Sequence, residues 1–254
     1  MIKTALKTEN VSVSFPVYQG GTRSLKKSLL NRGSKGRIAS DANERLIIHA
    51  LRNVSLEFSA GDRVALIGSN GAGKTTLLRV LAGIYEPFIG QVSVSGRISP
   101  MFDIGLGIDP ERSGIENIQL RGLILGLSDT EVSEKLADIA AFTELGDYLH
   151  LPVRTYSSGM ITRLTFAVAT CFAPEILLMD EWIAAGDTGF LAKAERRIAS
   201  FVSSASILVL ASHSEKICRD WCNKSVWLES GEVRQIGDID AVLAAYQAQS
   251  GIRA

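Results

Sequence analysis

Val64-Ala-Leu-Ile67 runs directly into Gly68-Ser-Asn-Gly71-Ala-Gly73-Lys74-Thr75-Thr76. A short, unbroken apolar run bounded by glycine reads as a strand covered on both faces. The residues after it match G-x-x-x-x-G-K-[ST], and Thr76–Ala82 opens a helical pattern. Strand, glycine-rich loop and helix are the context in which this motif cradles phosphates. Glycines at 68, 71 and 73 let the backbone turn its N–H groups inward around phosphate oxygens, and the helix N-terminus adds partial positive charge. Lys74 is placed for the terminal phosphates, and the Thr75 hydroxyl is a candidate Mg²⁺ ligand. Ser69, Asn70, Ala72 and Thr76 complete the predicted nucleotide-binding loop.

Such a loop needs a second metal ligand and a base. Ile176-Leu-Leu-Met179-Asp180-Glu181 supplies both, as an apolar strand ending in two carboxylates. Strand ends are where ligands bind in open α/β sheets. Asp180 is therefore assigned to Mg²⁺ and Glu181 to polarising the attacking water. Upstream, Tyr156-Ser157-Ser158-Gly159-Met160 precedes a helix predicted to begin near Ile161. Ser157, Ser158 and Gly159 form a second candidate anion site; read alone, they equally fit an ordinary helix cap. Ile207–Leu210 is a third buried strand, followed by Ser212-His213.

Working outward, Leu6–Phe15 and Leu51–Phe58 alternate like half-buried antiparallel strands. Residues 128–145, 214–222 and 238–248 read as helices, the first with Ser128 as its cap. The 254 residues are 46% hydrophobic and 21% charged, with 27 basic and 27 acidic side chains, so global disorder is excluded and non-specific nucleic-acid wrapping is disfavoured. Three cysteines make no closed disulfide framework. Cys218 and Cys222 lack a partner pair for a zinc site and read as structural thiols. No run reaches the ~18 apolar residues of a spanning helix, and no signal peptide is evident, so a soluble intracellular chain is expected. The neutral total hides one asymmetry. Arg23, Lys26, Lys27, Arg32, Lys35 and Arg37 fall in residues 10–40, which hold no acid. Leu25, Leu29 and Leu30 interleave with them at helical spacing, giving either a basic amphipathic helix or a solvated insert.

At this point the sequence resembles the ATP-binding-cassette ATPases, from about residue 5 to 247. GSNGAGKTT resembles the Walker A loop, YSSGM the signature usually written LSGGQ, and ILLMDE Walker B with its glutamate. AAGD at 184–187 falls where the D-loop belongs, and His213 where the switch histidine does. The resemblance implies an α/β fold: a RecA-like mixed sheet core, an antiparallel β subdomain, and a helical signature subdomain over about 104–165. It implies a single nucleotide-binding domain over 1–254, with a basic insert at 16–50. It also implies a head-to-tail homodimer in which each ATP lies between one copy's phosphate loop and the other's signature. His213 would contact the γ-phosphate, although a helix-capping role is also open to it.

Three departures narrow the branch: Asp103 where a glutamine is usual, YSSGM for LSGGQ, and the long insert. Together they resemble the subunits that export bacterial surface polysaccharides of O-antigen, capsule or teichoic-acid type. That branch implies a transmembrane permease partner, a lipid-linked polysaccharide met indirectly, and a peripheral place on the cytoplasmic face of the inner membrane. Residues 22–37 would attract anionic headgroups, and no extra C-terminal sugar-binding domain is expected. Asp103 is the nearest polar candidate for the glutamine's metal role. The adenine partner is expected to be His49 or Tyr18, with Phe15 as a packing residue. The alternative function is a non-transport regulatory module of cell-division type.

Overall fold

The computed structural model describes residues 4–17, 38–40, 46–102, 107–124, 126–181 and 188–250. The adjoining segments at 18–37, 103–106 and 182–187 carry the basic residues, Tyr18, Asp103 and the AAGD motif, which lie outside the described residues.

A four-stranded antiparallel sheet is built from β1 (Ala5–Val17), β2 (Ile38–Ser40), β3 (Leu46–Ser59) and β5 (Ile89–Ser95), in the order β2-β3-β1-β5. The insert expected at 16–50 is therefore strand at both of its ends. A six-stranded mixed sheet contains β4 (Arg63–Ile67), β6 (Ile98–Met101), β7 (Ile176–Asp180), β8 (Ile207–Ala211), β9 (Lys224–Glu229) and β10 (Glu232–Asp238), in the order β10-β9-β4-β8-β7-β6. Only β10 runs antiparallel to its neighbour.

The helices are α1 (Lys74–Leu81), α2 (Gly114–Ile124), α3 (Asp129–Thr143), α4 (Ser158–Ala169), α5 (Thr188–Ser204), α6 (Glu215–Trp221) and α7 (Ile239–Ser250). Ser128 caps α3 with a full capping box to Glu131. Helix α4 begins three residues earlier than the sequence predicts, because Ser157 is its N-cap. No expectation covered α5, although Phe190, Ala194, Ile198, Phe201 and Val202 mark its buried stripe.

The central strands bury both faces, and alternate residues enter two different cores. Val64, Leu66, Ile176, Leu178 and Val209 pack with α1 and the antiparallel sheet. Ala65, Ile67, Leu177, Met179, Leu208 and Leu210 pack with the helices on the other side. This two-sided burial is why these strands read as continuous apolar runs. Among the described residues, no helix is long and apolar enough to cross a membrane.

Candidate functional site

Strands β4, β8 and β7 are neighbours whose carboxyl ends are level. Leu66 pairs with Ala211, and Ala211 with Asp180. The phosphate loop, Ser212-His213 and Asp180-Glu181 therefore emerge side by side. The loop from Asn70 to Thr76, Asp180, Glu181 and His213 line one cavity of about 670 Å³.

Gly68 and Gly73 are fixed in the loop by backbone and space. Gly68 has φ 144°, and a Cβ there would lie 2.2 Å from the Leu228 carbonyl oxygen. Gly73 has φ 113°, and its Cβ would lie 2.9 Å from the Ala50 oxygen. Gly73 is the N-cap of α1, without a side-chain cap, and the first turn holds no acid. The helix end is thus left for an external anion. Lys74 is buried, and its ammonium donates to the Gly68 oxygen at 2.7 Å and the Ser69 oxygen at 3.3 Å. Burial pushes its pKa below the usual lysine value, while Asp180 and Glu181 pull it back up. A phosphate in the cavity would give this buried charge a partner.

Glu181 leaves β7 with φ 60°, a left-handed conformation uncommon for a non-glycine residue, held by its N–H donating to the Ala211 oxygen at 2.7 Å. Its carboxylate Oε1 stands 3.8 Å from His213 Nε2. Ser212 and Ser214 spend their hydroxyls on the backbone N–H groups of Ser214 and Ile217, so Ser214, not His213, caps α6. Thr75 and Asp180 line the same cavity as Lys74. A hydroxyl and a carboxylate fit Mg²⁺, a hard ion that takes oxygen ligands and shares them with nucleotide phosphates.

His49 does not face this cavity. Strand alternation sends Ile48 and Ala50 into it, whereas His49 turns to the opposite side, where its Nδ1 shares a 2.8 Å hydrogen bond with Ser14 Oγ. Phe15, opposite Ile48 in the β1–β3 register, lines the cavity and is 37% exposed. Phe15, expected to pack inside, is thus the aromatic side chain that lines this cavity among the described residues.

Ser157, Gly159 and Met160 line a separate cavity of about 380 Å³ with Glu144, Tyr148 and Arg163. It shares no lining residue with the phosphate cavity. Ser157 Oγ accepts from the Met160 N–H at 3.3 Å. Exposed Ser158 follows it in the first turn of α4. The departure from LSGGQ has a structural reason at its first residue. Tyr156 is buried, and its hydroxyl donates to the Tyr148 oxygen at 2.5 Å. Burial raises its pKa, with the Gly114 backbone acting in the opposite direction. Gly114 leaves room for the ring, since a Cβ there would lie 2.5 Å from that hydroxyl.

A phosphate cradle facing two carboxylates and a histidine across level strand ends defines a nucleotide-hydrolysing phosphate-loop protein. The family model described as ABC transporter matches residues 51–184. The chain belongs to this family and is an ATP-binding ATPase. It is 46% identical to the O-antigen export system ATP-binding protein RfbE of Yersinia enterocolitica, over 90% of this chain and 95% of that protein. It is 35% identical to the teichoic acids export ATP-binding protein TagH of Bacillus cereus, over 96% of this chain but 42% of that protein. Among solved structures, the ATP-binding subunit of an ABC transporter superposes with a TM-score of 0.67 at 21% identity, covering 98% of this chain and 94% of that one. A dimeric ATP-binding cassette bound to ADP and Pi gives 0.63 at 20% identity, covering 92% of this chain and 98% of that one.

Proposed function

We propose that this chain is the ATP-hydrolysing subunit of an exporter for a lipid-linked surface polysaccharide of O-antigen, capsule or teichoic-acid type. It works as a homodimer beneath a transmembrane permease, at the cytoplasmic face of the inner membrane. Phe15 stacks on the adenine. The loop from Gly68 to Thr76 binds the phosphates, with Lys74 on the terminal ones. Thr75 and Asp180 hold Mg²⁺, which neutralises charge on the phosphates when bound. Glu181 accepts the proton of the attacking water, and His213 holds the γ-phosphate. Ser157, Ser158 and Gly159 complete the site from the second copy. The export reading is supported by the similarity to RfbE along 90% of the chain.

The observation that carries the dimer is the separation of the two cavities. Gly159 adds to it. It stands in the first turn of α4 without a positive φ, and a Cβ there would meet only Ser157 Oγ, at 3.9 Å. Nothing among the described residues requires glycine at that position, although glycine weakens a helix. Close approach of a nucleotide held by a partner gives it a reason.

The test compares purified wild type with Glu181→Gln, and then cells carrying Lys26→Ala, Lys27→Ala and Arg32→Ala together. Turnover lost in Glu181→Gln with binding retained, and export lost in the triple variant with basal turnover retained, support the reading. Equal turnover in Glu181→Gln would remove Glu181 as the base. Normal export in the triple variant would reduce the basic segment to an ordinary insert.

A further inference from the structure

Phe15 stands near the end of β1, partly exposed, and does not belong to either core. A ring in that position has several staggered rotamers open to it. Tyr85, in the turn after α1, meets it edge to face, with centroids 5.3 Å apart and planes at 70°. Whichever ring offers its edge, Phe15 keeps a face for the cavity. Tyr85 is itself held from α1. Arg79 donates from its guanidinium to the Tyr85 hydroxyl at 3.1 Å, and the guanidinium carbon stands 5.8 Å from the ring centroid. The Tyr85 N–H donates to the Arg79 carbonyl oxygen at 3.2 Å.

Arg79 lies on the helix whose first residue is Lys74. The chain of contacts Phe15–Tyr85–Arg79 therefore ties the end of a strand in the antiparallel sheet to the helix that carries the phosphate loop. We infer that Tyr85 is a positioning residue for nucleotide binding: the edge-to-face contact of its ring fixes the ring of Phe15 at a set distance from the phosphate cradle, and its backbone N–H bond to the Arg79 carbonyl ties it to the helix. The inference rests on the reading above of Phe15 as the base platform. Tyr85 does not line the phosphate cavity, so its effect is expected on ligands that carry a base.

The experiment uses the full chain and measures ADP and inorganic pyrophosphate binding by calorimetry, with melting temperature recorded for every variant. Phe15→Ala weakens ADP about five- to hundredfold, the range for losing one base–aromatic stack, and leaves pyrophosphate unchanged. Tyr85→Leu weakens ADP about two- to tenfold, the equilibrium factor of an edge-to-face pair, and again spares pyrophosphate. Tyr85→Phe keeps the ring edge and binds ADP within about twofold of wild type. On the Phe15→Ala background, Tyr85→Leu has no further effect on ADP. The inference is overturned if Tyr85→Leu weakens pyrophosphate as much as ADP, if Tyr85→Phe loses as much as Tyr85→Leu, or if the two substitutions add. Unchanged ADP binding in Phe15→Ala overturns the base platform and the inference together. A platform that stands while the substitutions add overturns the inference alone.

Discussion

His213 Nε2 stands 3.8 Å from Glu181 Oε1, across the ends of two adjacent parallel strands. That is longer than a hydrogen bond and short enough for charge to be felt. The two side chains face one cavity from two strands held in register, so a nucleotide can bring them into use without moving the sheet. If they act on one transition state, their losses do not add. Glu181→Gln is expected to lower ATP turnover about 10²- to 10⁴-fold, the usual span for a general base. His213→Ala lowers it about as far, and the double variant is no slower than the worse single one. Steady-state turnover measures this, with ADP affinity as the control for an intact phosphate loop. Multiplying losses would mean that the two residues serve separate steps.

Ser157 caps α4 and also faces the second cavity, and the two roles can be separated. Ser157→Ala removes the cap and costs about 1 kcal/mol of stability. Ser157→Asp restores a good cap and favours the helix dipole. It also places a negative charge where a partner's γ-phosphate would approach. Thermal melts are expected to show Asp at least as stable as serine, while ATPase assays show it slower than both serine and alanine. An aspartate variant with wild-type turnover would leave Ser157 with capping alone.

Gly159→Ala extends the same reasoning, because the side chain has space among the described residues. The substitution is expected to leave stability unchanged or raise it by up to about 1 kcal/mol, as glycine-to-alanine does in helices. Turnover falls nonetheless, because the added methyl meets the nucleotide of the other copy. Denaturant midpoints and turnover, measured on the same preparation, check both halves. A variant that is both more stable and fully active would show that the first turn of α4 approaches nothing.

The phosphate loop and the strand ending in Asp180-Glu181 are legible in the sequence because each is contiguous. Burial on both faces also turns β4, β7 and β8 into plain apolar runs. The base platform proposed at Phe15 is not legible in the same way. Which of Phe15, His49 and Ile48 faces the nucleotide depends on the parity of two strands. Strand β1 carries register irregularities between Thr8 and Val11, Val11 and Val13, and Val13 and Ser14. Each irregularity can exchange inside for outside, and no residue pattern counts them. Tyr156 is a second case: its polar end finds the Tyr148 carbonyl and the space above Gly114 only once α2 and α4 are packed together. Helix α5 is legible from its apolar stripe, Phe190, Ala194, Ile198, Phe201 and Val202.

Asp62 gives a test that is independent of the nucleotide. It lies in the turn between β3 and β4, where its carboxylate accepts from the Ser59 N–H at 2.9 Å and stands 2.5 Å from the Lys224 ammonium on β9. Burial alone would raise its pKa. The Lys224 and Ser59 contacts together outweigh burial and hold it below the usual aspartate value. In the unfolded chain the carboxyl protonates near its ordinary pKa of about 3.9. The unfolded state therefore takes up the proton first on acidification. The contribution of Asp62 is complete above that pH and drains away as pH falls through the lower folded value. Lys224 is half-exposed, so solvent screens its share. Asp62→Asn is accordingly expected to cost about 1–2 kcal/mol at pH 7. Urea melts of wild type and variant should show the gap between them constant from about pH 7 to 5 and closing below about pH 4. A gap of the same size at pH 3 as at pH 7 would mean that the carboxylate's charge contributes nothing and that the substitution costs stability only through side-chain contacts that do not depend on ionisation.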